Sequence, residues 1–296
     1  MNEQTPSVSV APVLRPMLPG TGSILQSSWS DYARRFWTYM GISVLPMALV
    51  IILAVIGGAG SVVGIAISDS PYLVGGGIVL LIVAAIVVMV IYLWSQIALV
   101  YAITHSEQHV GIKESYKQTW GKIGGYFWIS LVSGFIVMCG TMLFAIPGII
   151  FAVWFIFPIY IYVNEGDHGF QALMKSREYV RNYWWPVFGR VLVLLLIIAA
   201  IFIAFMILSV VLTLTMKDNT DMAGAIIQII QSIGQLLIYP FMMVFYVKLY
   251  LALKTIKGQV VLGAESEKDK KLVTILTVLG FVAPIILVIL VLLAVQ

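Results

Sequence analysis

Long apolar segments alternate with short polar ones along the chain, and this alternation predicts a protein built from membrane-crossing helices. A helix needs roughly 20 apolar residues to cross a hydrocarbon core of about 30 Å. Seven segments are candidates: residues 37–67, 72–104, 126–146, 149–164, 187–215, 223–253 and 272–295. Several are longer than a straight crossing requires, so we expect them to tilt, bend or project into water.

The third and fourth segments are separated only by Pro147 and Gly148. This pair can form a tight hairpin, a kink or a re-entrant break. We favour the hairpin because of the distribution of charge. With a hairpin, 16 of the 17 lysines and arginines lie on the same side of the membrane as the N-terminus, and only Lys217 lies on the opposite side. Under the positive-inside rule, this predicts seven spans in the plasma membrane, with the N-terminus cytoplasmic and the C-terminus outside.

A short cationic segment that ends in aromatic residues precedes the first, third and fifth apolar segments. In the clearest case, residues 168–186, the apolar side chains share one helical face and the charged ones point elsewhere. That pattern is typical of a helix lying in a membrane interface. The predicted fold is therefore an all-α polytopic transmembrane bundle of three helical hairpins, each preceded by an amphipathic interfacial helix, plus a C-terminal span.

These patterns divide the chain into four parts. Residues 1–22 contain four prolines without periodicity and are expected to form a disordered cytoplasmic tail. Residues 23–255 form the membrane domain, residues 256–271 a charged cytoplasmic linker, and residues 272–296 a C-terminal transmembrane helix.

Composition narrows the function classes. The chain is 61% hydrophobic and only 10% charged, whereas soluble domains carry about 25% charged residues. No basic run with interleaved aromatics lies outside the apolar segments, which argues against nucleic-acid binding. The middle of each span lacks ionisable residues, and the chain lacks familiar catalytic and metal-binding motifs. We therefore expect no enzymatic activity, no cofactor and no metal.

Two groups of residues are candidates for binding. The first is the cationic, tryptophan-ended helix, where a phospholipid headgroup would meet Lys175, Arg177, Arg181, Trp184 and Trp185. Arginines suit planar oxyanions. Glu165 would compete for Arg177 or Arg181, and we favour that structural ion pair over a bound phosphate.

The second group is a polar stripe inside the sixth span. Gln228, Gln231, Ser232 and Gln235 share one helical face, and Ser95 and Gln96 of the second span lie where they can meet it. Together they form either an uncharged polar cavity for a headgroup or polar solute, or hydrogen bonds that hold helices together. The second interpretation is the more ordinary one.

Several of these stretches resemble a known family. They are residues 146–150, 165–166, 172–180, 184–185 and 187–190, the Ser28-Trp29…Tyr32…Phe36-Trp37 opening, and Pro240 with Tyr246 and Leu249-Tyr250-Leu251. Across residues 23–255 the chain is similar to the membrane domain found with glycerophosphoryl diester phosphodiesterases and to related polytopic proteins. In the fused members a separate soluble barrel with acidic metal ligands carries the chemistry, and residues 256–296 do not contain it. The resemblance thus implies a membrane domain without catalytic residues.

The leading hypothesis is a non-enzymatic membrane protein that binds or organises phospholipids, or scaffolds a protein partner or second copy at the cytoplasmic leaflet. The alternative is a transporter or lipid-translocating protein that uses the uncharged polar cavity.

Overall fold

A computed structural model describes residues 16–67, 71–216 and 219–260, with separate positions between 262 and 282. Over residues 16–67, 71–216 and 219–260 there are ten α-helices, the positions 273–275 and 277–280 are also helical, and none of the described residues forms a β-strand. The ten helices are α1 (Thr21–Arg34), α2 (Phe36–Ile67), α3 (Pro71–Thr104), α4 (Ile112–Thr119), α5 (Ile123–Leu143), α6 (Ala145–Trp154), α7 (Pro158–Glu165), α8 (Phe170–Val180), α9 (Trp184–Thr215) and α10 (Thr220–Lys257). The prediction of an all-α helical membrane bundle is confirmed.

Five helical stretches are long and apolar enough to cross a membrane: Gly76–Thr104, Ile112–Met142, Ala145–Glu165, Trp184–Thr215 and Asp221–Lys257. The α1–α2 pair is a sixth candidate if its two parts, which meet at 76°, are counted as one broken span. The predicted seventh span, residues 272–295, lies largely outside the described residues. A multi-pass architecture follows, while the number of seven spans stays a prediction.

Helices α1, α4 and α8, which we call the short helices, lie at the same end of the bundle. Arg35, which follows α1, donates from Nη1 to the carbonyls of Ala102 (3.3 Å) and Ser106 (3.2 Å), next to the end of α3 and the approach to α4. Lys257 at the end of α10 donates to the carbonyl of Arg181 just after α8, at 2.8 Å. We call this end of the molecule the short-helix end.

The short helices differ in how they join the spans. The 76° bend between α1 and α2 fits an interfacial helix that meets a membrane-crossing one. Helix α4 departs from the interfacial prediction, because α4, a 3₁₀ turn at Trp120–Lys122 and α5 form one helical stretch, Ile112–Met142. Helix α4 thus extends α5 instead of being set off from it by a sharp bend.

Helices α5 and α6 form a tight hairpin. The chain reverses at Phe144, whose extended backbone separates the two helices, so the turn precedes Pro147 instead of occupying Pro147 and Gly148. Pro147 lies in the first turn of α6, where a missing N–H is tolerated. A side chain added at Gly148 would approach the Cα of Thr141 to 2.9 Å, so glycine allows the two backbones to pack closely.

At the start of the described residues, Leu18 is buried, Arg190 donates to the carbonyls of Leu18 and Pro19, and α1 begins at Thr21, while Met17 is exposed. The remaining tail residues, 1–15, lie outside the described part. Near the other terminus, Val273 belongs to the buried core and Gly280 packs directly against the backbone of Phe135 in α5.

Proline inside a span removes a backbone donor, and a side chain from a neighbouring helix compensates for it. Pro46 in α2 has no N–H to donate to the carbonyl of Ile42. That carbonyl accepts hydrogen bonds from Ser95 Oγ at 3.0 Å and from the Tyr116 hydroxyl of α4 at 2.9 Å. The freed carbonyl is therefore satisfied without water, as the membrane interior requires.

The other two short helices supply similar bonds. Pro158 leaves the carbonyl of Trp154 without its helical donor, and Ser176 Oγ of α8 donates to that carbonyl at 2.7 Å. Tyr32 of α1 donates to the carbonyl of Leu237 at 3.0 Å, next to the Leu236 carbonyl that Pro240 leaves without its helical donor. Each short helix thus contributes one hydroxyl to a span near a proline.

The buried core lies towards the short-helix end. Its largest fully buried side chains include Tyr39, Leu99, Phe157, Tyr179 and Phe245. In the outer part of α3 and along α9 most large apolar side chains are exposed on the protein surface, as expected where lipid covers them.

Candidate functional site

A partly open cavity of about 380 Å³ lies between α2, α3, α9 and α10. Seven of its lining residues are polar: Ser43, Tyr92, Ser95, Gln96, Ser232, Gln235 and Tyr239. The others are apolar and include Pro46, Phe202 and Met242. The arrangement places hydrogen-bonding groups on an otherwise apolar wall.

The cavity lies inside the apolar part of the bundle. At 1.5 Å per residue, Ser43 lies about 10 Å along α2 from Phe36, and Gln96 lies about 12 Å along α3 from Thr104. Tyr92 on its rim is 54% exposed, and the neighbouring Met89, Ile233 and Leu237 are exposed apolar residues. The opening therefore lies on the apolar outer surface of the bundle.

Two hydroxyl groups in this wall are buried without hydrogen-bond partners among the described residues, Ser43 Oγ and the Tyr239 hydroxyl. Ser95 Oγ is committed to the carbonyl of Ile42. Gln96 is buried, and its Oε1 accepts a long hydrogen bond of 3.5 Å from the Tyr126 hydroxyl. A buried hydroxyl without a partner costs about 1–3 kcal/mol, so a group that hydrogen-bonds to Ser43 Oγ or to the Tyr239 hydroxyl would stabilise this wall.

Prolines shape two walls of the cavity. Pro46 lines it directly, and Pro240 follows the lining residue Tyr239. The hydroxyls of Tyr116 and Tyr32 reach the carbonyls near these two prolines. Helices α4 and α1 thus hold the parts of α2 and α10 that form the cavity.

The cavity contains part of the polar stripe predicted from the sequence. Gln235 and Ser232 of α10 face Ser95 and Gln96 of α3 across it. Gln228 and Gln231 lie further along α10 and are not among the described lining residues. Sequence reasoning missed Ser43, Tyr92 and Tyr239, because single hydroxyl residues in apolar spans usually bond to their own helix and give no periodic signal.

The residues of the predicted headgroup site contact other residues of the protein, beginning with Lys175. Lys175 turns towards the bundle and donates to Glu165 at 3.1 Å and to Asp167, so only 11% of its side chain is exposed. Burial alone would lower the pKa of Lys175, but the hydrogen bonds that Lys175 donates to Asp167 and Glu165 raise it above its ordinary value. This lysine is therefore held by two carboxylates of its own chain.

The other four members of that group do not converge on one point. The guanidinium of Arg177 lies 4.9 Å above the ring of Trp154, and Arg181 pairs with Glu178 at 3.4 Å on the surface. Trp184 stacks on Phe188 with ring centroids 5.0 Å apart. Trp185 is 74% exposed, as an interfacial anchor would be.

Glu165 is the centre of a buried polar cluster that differs from the predicted ion pair with Arg177 or Arg181. Its Oε1 accepts hydrogen bonds from the hydroxyls of Tyr250 (2.6 Å) and Tyr179 (2.8 Å). Lys254 approaches the same oxygen at 3.4 Å, while Lys175 approaches Oε2. With only 1% of its side chain exposed, Glu165 joins α7, α8 and α10, and the charge is matched within the protein.

Metal binding has no geometric basis in the described part of the chain, where no group of three histidine, cysteine, aspartate or glutamate side chains lies close enough to hold an ion. His105 and His109, the nearest approach to a ligand pair in the sequence, each contact a backbone carbonyl of their own segment through Nδ1.

No family model, curated protein or solved structure matches this chain. The resemblance to the phosphodiesterase-associated membrane domain therefore rests on the sequence motifs alone.

Proposed function

We propose that this protein is a non-enzymatic membrane protein that binds a membrane lipid, with the polar end of the lipid in the cavity between α2, α3, α9 and α10. The proposal rests on one observation: seven polar residues line a cavity in the apolar part of the bundle, and the hydroxyls of two of them, Ser43 and Tyr239, have no hydrogen-bond partner among the described residues. A ligand that reaches this depth and satisfies hydroxyl groups needs both an apolar and a polar part.

The shape of the opening favours a lipid over a polar solute. Exposed apolar residues surround the rim, and a polar solute would have to cross hydrocarbon to enter from that side. The acyl chains of a lipid would instead leave through the opening and lie along α3 and α10. The polar part would remain among Gln96, Gln235 and Tyr239.

A binding role accounts for the chemistry of the wall better than catalysis does. General acid–base catalysis relies on a group whose pKa lies near the working pH, most often histidine or a carboxylate. The described residues that line the cavity include neither. Ser43 and Ser232 lack a base among those residues that would activate them as nucleophiles.

The proposal places the short-helix end at the cytoplasmic face of the plasma membrane, because the chain's basic residues concentrate there. The test uses exposed positions at opposite ends, Lys117 on α4 and Asn219 before α10, in protein whose buried Cys139 is replaced by alanine. A membrane-impermeant maleimide applied to intact cells should label Asn219→Cys, and should label Lys117→Cys only after permeabilisation. The reverse pattern would contradict this orientation.

Lipid retention tests the proposed function. Protein purified in a mild detergent should show a lipid adduct by native mass spectrometry. The double variant Gln96→Leu/Tyr239→Phe removes two hydrogen-bonding groups, and at roughly 1–3 kcal/mol each it should reduce the adduct by about tenfold or more.

The matched control is Gln228→Leu/Gln231→Leu, which changes two glutamines of α10 that do not line the cavity. It should retain the lipid. Equal adducts in both variants would refute cavity binding. A protein free of lipid that moves a polar solute into liposomes would instead favour the transporter alternative.

A further inference from the structure

We infer that the cavity selects a lipid whose polar part is uncharged and rich in hydroxyl groups, such as a glycerol or a single sugar, over a lipid with a phosphate group. This inference rests on the proposed function and specifies its ligand. It differs from the expectation of a phospholipid, which came from the cationic segment around Arg177.

The charge of the wall is the first argument. None of the described residues that line the cavity carries a charge. Moving an anion from water into such a site without a cation costs several kcal/mol even after relaxation of the protein. A phosphate would therefore lose more hydration free energy than its contacts with the wall restore, whereas an uncharged headgroup avoids this cost.

The neighbouring cations cannot easily supply the missing charge, because other groups already hold them. Lys248 of α10 is paired with Asp31, and the buried Arg35 donates to the carbonyls of Ala102, Ser106 and Val110. Releasing either cation towards the cavity would leave a buried acceptor without its donor, which is itself unfavourable.

The hydrogen-bonding character of the wall is the second argument. The hydroxyls of Ser43 and Tyr239 can each donate and accept, and the amides of Gln96 and Gln235 offer both kinds of group. Hydroxyl groups on a ligand also donate and accept, so they satisfy every member of this set. A phosphate diester only accepts, so the phosphate group itself satisfies donors of the wall but none of its acceptors.

The size of the cavity is the third argument. A volume of about 380 Å³ corresponds to roughly a dozen water molecules at about 30 Å³ each. This accommodates a glycerol or one sugar ring near Ser43 and Tyr239. It also leaves the acyl chains outside the rim.

Lipid competition tests the inference. Delipidated protein in detergent is mixed with equal amounts of monoglucosyl diacylglycerol and phosphatidylglycerol that carry the same acyl chains, and bound lipid is counted by native mass spectrometry. We expect monoglucosyl diacylglycerol to be bound about tenfold more than phosphatidylglycerol, a difference of about 1.4 kcal/mol. Ser43→Ala/Tyr239→Phe should remove that preference without lowering the unfolding temperature.

A second variant tests whether the absence of charge in the wall determines which lipid is bound. Gln235→Lys adds a cation to the rim and should shift the preference towards phosphatidylglycerol. If the unchanged protein prefers phosphatidylglycerol and loses it on Ser43→Ala/Tyr239→Phe, the cavity binds lipid but the inference is wrong. If no lipid responds to either variant, both the inference and the proposed function are wrong.

Discussion

Replacing Glu165 by leucine is expected to destabilise the folded protein by about 3–5 kcal/mol, since removing one partner from a buried charge cluster leaves the others uncompensated. The change takes the acceptor from Tyr179 and Tyr250 and the counter-charge from Lys175 and Lys254. The measurement is denaturant or thermal unfolding of the purified protein in one detergent.

The matched control is Glu178→Leu on α8. Glu178 pairs with Arg181 at the surface, where 37% and 56% of the two side chains are exposed. Exposed pairs contribute about 0–1 kcal/mol, so this variant should unfold close to the unchanged protein. A Glu165→Leu protein as stable as Glu178→Leu would show that the cluster does not hold α7, α8 and α10 together.

Replacing Ser176 by alanine is expected to cost about 2–4 kcal/mol, because the hydroxyl serves two buried backbone groups at the break between α6 and α7. Ser176 Oγ donates to the carbonyl of Trp154 at 2.7 Å and accepts from the N–H of Phe157 at 3.2 Å. Unfolding measurements on the same protein test this. Ser209→Ala is the control, because Ser209 bonds only a carbonyl of its own helix among the described residues and should change stability by less than about 0.5 kcal/mol.

A double-mutant cycle identifies the proline as the reason that Ser176 matters. Pro158→Ala restores the N–H that can reach the Trp154 carbonyl, so Ser176→Ala should cost less in that background. A coupling of about 1 kcal/mol is within the range measured for neighbouring residues. Strictly additive effects would show that the hydroxyl does not compensate for Pro158.

The helical architecture was predictable because apolar length and amphipathic periodicity are local properties. The long runs gave the spans, and the segments around Trp29 and Lys175 gave α1 and α8. Helix α4 shows what periodicity cannot predict. Residues 112–119 form the predicted helix, but the direction of that helix relative to α5 depends on the turn at Trp120–Lys122. Periodicity places residues on a face and does not choose the direction of the axis.

Partners between distant elements were not predictable in the same way. Glu165 was expected to meet an arginine of the nearby α8, yet Tyr250 and Lys254 come from the far end of α10. The cavity was anticipated only where polar side chains repeat along a span, as at Ser232 and Gln235. The isolated hydroxyls of Ser43 and Tyr239 become part of one cavity wall only because four helices pack together. The spacing of residues in the sequence does not predict that packing.

The central claim is that a lipid completes the cavity between α2, α3, α9 and α10. An experimental density map of the protein, purified and kept in its native membrane lipids, tests it most directly. We expect elongated density whose polar end lies within hydrogen-bond distance of Ser43 Oγ and the Tyr239 hydroxyl, with acyl density leaving past Tyr92. A cavity closed by side chains, or filled by water alone, would contradict it.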